Sequence, residues 1–264
     1  MDLGLKGKVA MVGGASRGLG LAVARALLQE GAHVSIASRR SKAICEAAHR
    51  LEAETGADAV LPVEADLRSG PAITAWHDAT VRRFGGVDLL FANGGGPPSG
   101  TALGVDDEAW QMAFELLLLS AVRLVRVTVP TMVSRGGGSI VLSTSSAVKE
   151  PIPNLALSNV VRASVAALAK TLSNELAPQG IRVNHLLPGR IETDRVRELD
   201  ETRSREANIS AEEQRARSER AIPLARYGAP EEFALAAVFL LSNASAYTTG
   251  ASLQVDGGMI RGVL

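Results

Sequence analysis

The chain has 264 residues, enough for one large α/β domain or two small ones. Its 28 Lys and Arg balance its 28 Asp and Glu, so no basic surplus suggests a nucleic-acid or anionic-membrane partner. Cys45 is the single cysteine, which excludes an internal disulfide and a thiolate metal cluster, and no other set of metal ligands is apparent. With no signal-peptide pattern in residues 1–8 and no apolar run judged long enough to span a membrane, we expect a cytoplasmic protein.

The first strand and the turn after it carry the earliest functional signal. Residues 9–12 are apolar and predict a buried strand, and Gly14, Gly18 and Gly20 follow where the strand turns into a helix that ends before Gly31. Such a turn leaves backbone N–H groups at a helix N-terminus open to a phosphate. This favours a dinucleotide site, and a turn that needs glycine only for steric reasons is the alternative.

Strand and helix patterns then alternate along the chain. Further strands are predicted at residues 33–37, 59–63, 87–92, 139–143, 181–187 and 252–255. Further helices are predicted at residues 41–54, 71–84, 106–134, 153–177 and 230–241. The strands are apolar throughout rather than at alternate positions, which indicates a parallel sheet covered on both faces. We therefore predict a single α/β domain over residues 1–264 with about seven strands.

Two segments depart from this regular alternation. Residues 194–220 are dense in Arg and Glu and directly follow a strand. They are either a solvated helix pair or partly disordered loop, or a substrate lid over 194–222, because ligands bind at the carboxyl ends of such strands. The predicted helix 106–134 is apolar on nearly every side, which predicts a homo-oligomer, dimer or tetramer, in which a second copy covers it.

Several motifs resemble the short-chain dehydrogenase/reductase family over residues 5–258. The family's TGxxxGxG loop matches residues 13–20, with Gly13 in place of threonine, and its NNAG motif matches residues 92–95 in part. Its Pro-Gly with a following threonine matches residues 188–193, and residues 223–258 resemble the 3-oxoacyl carrier-protein reductase branch. The resemblance implies a Rossmann-type doubly wound sheet and an NAD(P)-dependent oxidoreductase that interconverts a carbonyl and an alcohol of a small-molecule substrate.

The resemblance also assigns cofactor-binding positions in this sequence. They are Gly14, Ser16, Arg17, Gly18, Leu19, Gly20, Ser38, Arg39, Asp66, Leu67, Asn93, Gly94, Gly95, Arg162, Pro188, Gly189, Ile191 and Thr193. An acidic residue at the end of the second strand is typical of NAD binding, but this chain has Ser38 there, followed by Arg39 and Arg40. Because arginine pairs with phosphate in a bidentate manner, this favours NADP(H) over NAD(H).

The catalytic positions depart from the family pattern. Ser145 matches the serine that orients the carbonyl, but Ser158 stands at the tyrosine position and Arg162 at the lysine position. Leu117 stands at the asparagine position, and the only tyrosines, Tyr227 and Tyr247, lie far downstream. The YxxxK signature is therefore absent.

These departures leave several hypotheses open. An aliphatic hydroxyl is a far weaker acid than a phenol, so the leading hypothesis is an NADP(H)-dependent oxidoreductase in which Ser158 or an ordered water passes the proton and Arg162 holds the ribose. His185 is either an additional acid or a packed core residue, and Glu192 and Asp194 either order a water or begin the lid. The second hypothesis is a catalytically impaired nucleotide-binding protein that acts as a sensor or partner subunit. A cofactor-free lyase resembling the halohydrin dehalogenases ranks last, because those enzymes keep the tyrosine and lose the glycine loop.

Overall fold

Seven parallel strands form one sheet in a computed structural model that describes residues 2–56 and 59–262. The strands are β1 Val9–Gly13, β2 His33–Ser38, β3 Val60–Glu64, β4 Leu89–Ala92, β5 Gly138–Ser143, β6 Ile181–Pro188 and β7 Ser252–Val255. Their order across the sheet is β3-β2-β1-β4-β5-β6-β7, and every neighbouring pair is parallel. This confirms the predicted doubly wound α/β architecture.

Helices connect the strands and cover both faces of the sheet. They are α1 Gly18–Gln29, α2 Ser41–Thr55, α3 Gly70–Phe84, α4 Asp107–Phe114, α5 Ser120–Ser134, α6 Ala156–Leu176, α7 Asp194–Ala207, α8 Ala211–Arg220 and α9 Pro230–Leu241. One core cluster joins the sheet to α1, α2 and α9, and a second joins it to α3, α5 and α6. Met11 packs into the second cluster and Val12 into the first, as alternation along a strand requires.

The predicted helix 106–134 is divided by a π-helical turn at Glu115–Leu119, between α4 and α5. A π turn leaves carbonyl groups without their usual partners, and the Ser120 hydroxyl donates to the Leu116 carbonyl at 2.6 Å. The segment Asp107–Ser134 is long and apolar enough to meet the criteria for a membrane span, so the expectation of no such run was wrong. In this fold it packs against α3, α6, β4 and β5, and 39% of its apolar window is buried.

Several element boundaries differ from the prediction by one residue, and two differ by two or more. Helix α6 begins at Ala156 rather than at residue 153, because Asn154 has a φ of 61° and Leu155 forms a β-bridge with Gly100. Strand β4 begins at Leu89 rather than at residue 87. The Asp88 carboxylate before it accepts hydrogen bonds from the Val9 amide and the Arg135 guanidinium.

Candidate active site

The candidate site lies at the carboxyl ends of the central strands. The strand order reverses at β1, which lies between β2 and β4, and the loops after β1 and β4 diverge to opposite faces of the sheet. In open α/β sheets this reversal creates a crevice in which ligands bind. The segments that follow β1, β4, β5 and β6 supply the candidate residues.

The glycine loop between β1 and α1 forms an open cradle of backbone groups. Gly14 and Gly18 have φ values of 61° and 59°, which glycine adopts easily. A Cβ atom at Gly20 would lie 2.5 Å from the Gly14 carbonyl oxygen, so the turn is closed to larger residues. Arg17 occupies the N-cap of α1 without a side-chain hydrogen bond to the helix. The first N–H groups of α1 are therefore open to an anion, as a dinucleotide pyrophosphate requires.

The loop after β4 lies directly against this cradle. The Asn93 side-chain amide donates to the Gly13 carbonyl at 3.3 Å, and a Cβ at Gly14 would lie 2.8 Å from the Asn93 carbonyl. A Cβ at Gly94 would lie 3.1 Å from the Leu116 carbonyl in the π turn. At the partial NNAG match, the loop after β4 therefore approaches the backbone of both the glycine loop and the π turn.

The segment after β6 closes the crevice on its other side. Gly189 packs so tightly that a Cβ there would lie 2.6 Å from the Cα of Asp256. Ile191 is buried and pairs with Gly228, while Thr193 caps α7 by accepting a hydrogen bond from the Val196 amide. The methyl group of Thr193 would lie 3.5 Å from a Cβ at Gly18, so the start of α7 reaches the glycine loop.

The adenosine end of the predicted cofactor site carries charged side chains. Asp66 accepts a bidentate hydrogen bond from Arg68, whose Nη2 lies 2.6 Å from Oδ2, and this pair together with nearby Arg39 lowers the pKa of Asp66. The Ser38 hydroxyl lies 3.5 Å from the Arg40 carbonyl, and Arg39 is exposed. No carboxylate directly follows β2 in the sequence at this point, although Glu64 of β3 pairs in register with Ser38.

Arg17 turns toward the α7 helix. Its Nη1 lies 3.1 Å from an Asp194 carboxylate oxygen and 3.7 Å from Glu198. Asp194 also pairs with Arg197, and Glu192 pairs with Arg215 at 2.7 Å. Glu192 and Asp194, the residues considered for ordering a water, are thus engaged with arginines.

Arg162 connects three segments of the catalytic region. Its Nε donates to the Ser158 hydroxyl at 3.1 Å, its Nη1 to the Thr144 carbonyl at 3.2 Å and its Nη2 to the Gly95 carbonyl at 3.1 Å. Burial and the nearby Arg195 lower the pKa of Arg162 to about 10, so the group remains charged at neutral pH. A guanidinium has five N–H donors, so two remain available for ribose hydroxyls.

Ser145 and Ser158 lie at the two ends of this cluster. Ser145 follows β5 in extended backbone, and its hydroxyl accepts a hydrogen bond from the Ala147 amide at 3.1 Å. The Ser158 hydroxyl accepts from Arg162, so its own proton remains available for donation. A cavity of ≈ 10 Å³ lies among Leu117, Asn93 and Arg162, and this is about the size of one water molecule.

His185 belongs to the core of the sheet. Its Nε2 is hydrogen bonded to the Thr144 hydroxyl and its Nδ1 lies 3.1 Å from the Ser252 hydroxyl. Burial, together with the charges of Lys149 and Arg162, lowers the pKa of His185 to about 4. The imidazole is therefore neutral at pH 7 and cannot serve as a charged general acid, which supports the packed alternative.

The segment 194–220 is a helix pair anchored to the remainder of the chain. Asp200 is buried and accepts from Arg190 at 2.6 Å and from the Tyr227 hydroxyl at 2.6 Å. Arg215 of α8 lies over the Tyr227 ring, 4.8 Å from its centroid. The role of the segment 194–220 as a substrate lid stays a prediction.

Two residues near the site were not singled out from the sequence. Arg68 holds Asp66, and Arg195 donates to the Pro97 carbonyl at 2.9 Å. A Cβ at Gly96 would lie 3.1 Å from the Arg195 Nε, so this side chain covers the loop after β4. Sequence spacing alone predicts an ion pair between Arg195 and Glu198, one turn further along α7. It gives no indication that Arg195 instead contacts the loop after β4.

The chain is similar to known proteins over nearly its whole length. Residues 14–260 match a family model described as enoyl-(acyl carrier protein) reductase. The chain is 36% identical over 261 residues to dehydrogenase/reductase SDR family member 4 from Bos taurus, covering 97% of this chain and 88% of the relative.

Two solved structures are similar over nearly the whole chain. L-sorbose reductase from Gluconobacter frateurii, complexed with NADPH and L-sorbose, has a TM-score of 0.95 and 34% identity, with 100% of each chain covered. An NADPH-bound short-chain oxidoreductase from Pseudomonas aeruginosa, described as containing an atypical catalytic center, has a TM-score of 0.88 and 32% identity, with 97% of this chain and 98% of that chain covered.

Proposed function

Because the chain belongs to the short-chain dehydrogenase/reductase family of oxidoreductases, we propose that it is an NADP(H)-dependent enzyme that interconverts a carbonyl and an alcohol. The observation that carries this proposal is the convergence of the glycine loop, the Asn93 loop and the Pro188 to Thr193 segment on one crevice. We further propose a 3-oxoacyl reductase-like activity with atypical proton transfer.

The adenosine end of the crevice supports the choice of NADP(H). Ser38 replaces the acidic residue that would repel a 2′-phosphate, and the exposed Arg39 beside it offers a guanidinium. The two similar structures described above contain NADPH. We propose that the 2′-phosphate lies between Ser38 and Arg39.

The chemistry then depends on which residues hold the reacting groups. When bound, NADPH supplies the hydride. The Ser145 hydroxyl, which stands directly after β5, donates a hydrogen bond to the carbonyl oxygen and so orients the substrate. Arg162 contributes its two remaining N–H donors to ribose hydroxyls and keeps a positive charge beside the developing alkoxide.

The proton that reaches the alkoxide needs a different source from the family's tyrosine. The Ser158 hydroxyl, polarised by the Arg162 Nε, is one donor, and a water in the cavity beside Leu117 and Arg162 is the other. We propose that one of these two groups passes the proton to the alkoxide.

One observation supports a second function, that of a nucleotide-binding protein without turnover. Ser158 replaces the family tyrosine that transfers the proton, while the glycine loop and the Pro188-Gly189 segment of the cofactor site match the family. This combination is what a nucleotide-binding sensor or partner subunit without turnover would show.

One experiment separates the two functions. NADPH and NADH are titrated into the purified protein by fluorescence, and a panel of ketones, aldehydes and 3-oxoacyl thioesters is then tested with each cofactor. We expect tight NADPH binding and turnover of at least one carbonyl. Tight binding with no turnover of any substrate would overturn the enzyme proposal and support the sensor. The triple variant Leu117→Asn, Ser158→Tyr, Arg162→Lys is tested beside it, because gain of activity only in that variant would show that the parent has lost catalysis.

We also propose a cytoplasmic homo-oligomer. Trp110, Phe114 and Leu118 border a surface cavity of ≈ 400 Å³ together with Val160 of α6. Phe114 is 43% exposed and Val160 is 56% exposed, so an apolar face remains uncovered in one copy of the chain. Burying this face against a second copy would remove it from water.

A further inference from the structure

The cations around the substrate end of the crevice lack acidic partners. Arg162 donates to Thr144, Ser158 and Gly95, all of them neutral groups, and Arg195 donates to the Pro97 carbonyl. In the part of the chain that the structure describes, neither guanidinium forms an ion pair with a carboxylate. The two acceptors on this loop, Gly95 and Pro97, are two residues apart, so both arginines converge on one short segment.

The carboxylates at the start of α7 are already used by other arginines. Arg215 pairs with Glu192, Arg17 with Asp194 and Glu198, and Arg190 with Asp200, at distances from 2.6 to 3.7 Å. Arg195 alone in this segment turns to the other side of the helix, toward the loop after β4. In the described residues, the cation without a carboxylate partner at the start of α7 is therefore the one that contacts the loop after β4.

Like charges gathered in this way are unfavourable without an anion. Burial first, and the charge of Arg195 second, lower the pKa of Arg162. Lys149, which follows the turn after Ser145, is a third cation in this region, and its charge contributes to the lowered pKa of His185. An anionic group placed among these cations would relieve their repulsion and accept charge-assisted hydrogen bonds. The two free N–H donors of Arg162 are shared with the ribose, so Arg195 is the main candidate to hold it.

We propose that the substrate of this enzyme carries an anionic group, a carboxylate or a phosphate ester, close to the carbonyl that is reduced, and that Arg195 binds it. Arg195 is thus a specificity residue supplied by the predicted lid. The inference rests on the proposed reductase function for its kinetic test, but its binding test is independent of turnover.

The kinetic test compares substrates that differ only in charge. Acetoacetate is compared with methyl acetoacetate, and dihydroxyacetone phosphate with dihydroxyacetone, each with NADPH. We expect kcat/KM to favour the charged member of at least one pair by about 10- to 100-fold, the range expected for a charged hydrogen bond. The pair that shows the preference identifies the carboxylate or the phosphate as the group recognised.

Variants on α7 assign the preference to one side chain. Arg195→Gln should lower kcat/KM for the charged substrate by about 10-fold or more relative to its neutral partner, mainly through KM. Arg195→Lys should restore part of the loss. Arg205→Gln is the matched control, because Arg205 lies on the same helix and donates only to the Glu201 carbonyl. Equal kcat/KM within both pairs, or a preference unchanged in Arg195→Gln, would overturn the inference while leaving the reductase function intact.

Binding to the NADPH complex provides the second measurement. The four compounds are titrated into the wild-type complex and the Arg195→Gln complex, with NADPH fluorescence and thermal shift as readouts. Charged compounds should bind at least about 10-fold more tightly to wild type, and the variant should lose that difference. If none of the compounds turns over but this difference is present, the anion site stands, and the substrate panel described above decides the reductase function. Absence of the difference overturns the site.

Discussion

Removing one hydroxyl group from Tyr227 tests how the α7 and α8 helix pair is anchored. Tyr227 is 6% exposed, and its hydroxyl donates to the buried Asp200 carboxylate at 2.6 Å, while Arg190 pairs with the other carboxylate oxygen at 2.6 Å. Tyr227→Phe keeps the ring that packs beneath Arg215 and removes the hydroxyl, which donates to Asp200 and also interacts with the Ser218 side chain. A hydrogen bond to a charged group contributes about 1.5–3 kcal/mol, so we expect this loss in the free energy of unfolding at pH 7.

The pKa of Tyr227 gives the same change a pH dependence. Burial first, and the hydrogen bond to Asp200 second, raise the pKa of Tyr227 to about 12 from 10.0. Below pH 10 both the folded and the unfolded chain hold the phenol proton, so its contribution is complete. Between pH 10 and 12 the unfolded chain loses the proton more readily, and stability falls as the pH rises. A shift of two pKa units corresponds to about 3 kcal/mol of stability lost over this pH range, to which burial and the hydrogen bond both contribute.

Urea unfolding of the wild type and Tyr227→Phe at pH 8 and pH 11 measures both effects. We expect the difference in unfolding free energy between the two proteins to shrink at pH 11. Tyr247→Phe is the control, because Tyr247 is fully exposed, and it also leaves Tyr227 as the one tyrosine seen in an absorbance titration. An equal pH dependence in wild type and Tyr227→Phe, or a phenol that titrates near pH 10, would refute the anchor.

Three further changes address the crevice and the apolar face. Gly20→Ala should abolish NADPH binding by fluorescence, because its Cβ would lie 2.5 Å from the Gly14 carbonyl, and retained binding would contradict the cradle. Ser38→Asp should weaken NADPH binding by about 10-fold or more through repulsion of the 2′-phosphate, while NADH binding is kept or improved; unchanged NADPH binding would place the phosphate elsewhere. Phe114→Asp should dissociate the proposed homo-oligomer in sedimentation velocity runs, and an unchanged oligomer would assign the interface to another face.

The sheet was predictable because its strands are short, apolar and separated by helices with clear end signals. Ser69 accepts a hydrogen bond from the Ala72 amide at the start of α3, and Gly85 ends that helix in the left-handed conformation. The π turn at Glu115–Leu119 was not predictable, because a glutamate followed by four leucines is good helix-forming sequence and gives no signal for an inserted residue. The start of α6 depended on a bridge between Gly100 and Leu155, which are far apart in sequence.

The cofactor crevice was predictable from motifs, whereas the charge arrangement around it was not. Sequence order placed Gly14, Asn93 and Gly189 at strand ends, and parallel strands bring those ends together. Ion pairs depend on distances between segments, which the sequence does not contain. Glu198 pairs with Arg17 of the glycine loop rather than with Arg195 on its own helix, and no spacing rule within α7 indicates that choice.

The three hydrogen bonds made by Arg162 also restrict which residues can replace Ser158 and Arg162. Arg162→Lys keeps the charge but replaces a planar fork with one ammonium, which cannot reach Ser158, Thr144 and Gly95 in the same geometry. A tyrosine at position 158 would in turn displace the hydroxyl that accepts from the Arg162 Nε. Each substitution taken alone therefore loses contacts that the present pair makes. We expect the two substitutions to be non-additive in the free energy of unfolding, because the two residues are in direct contact.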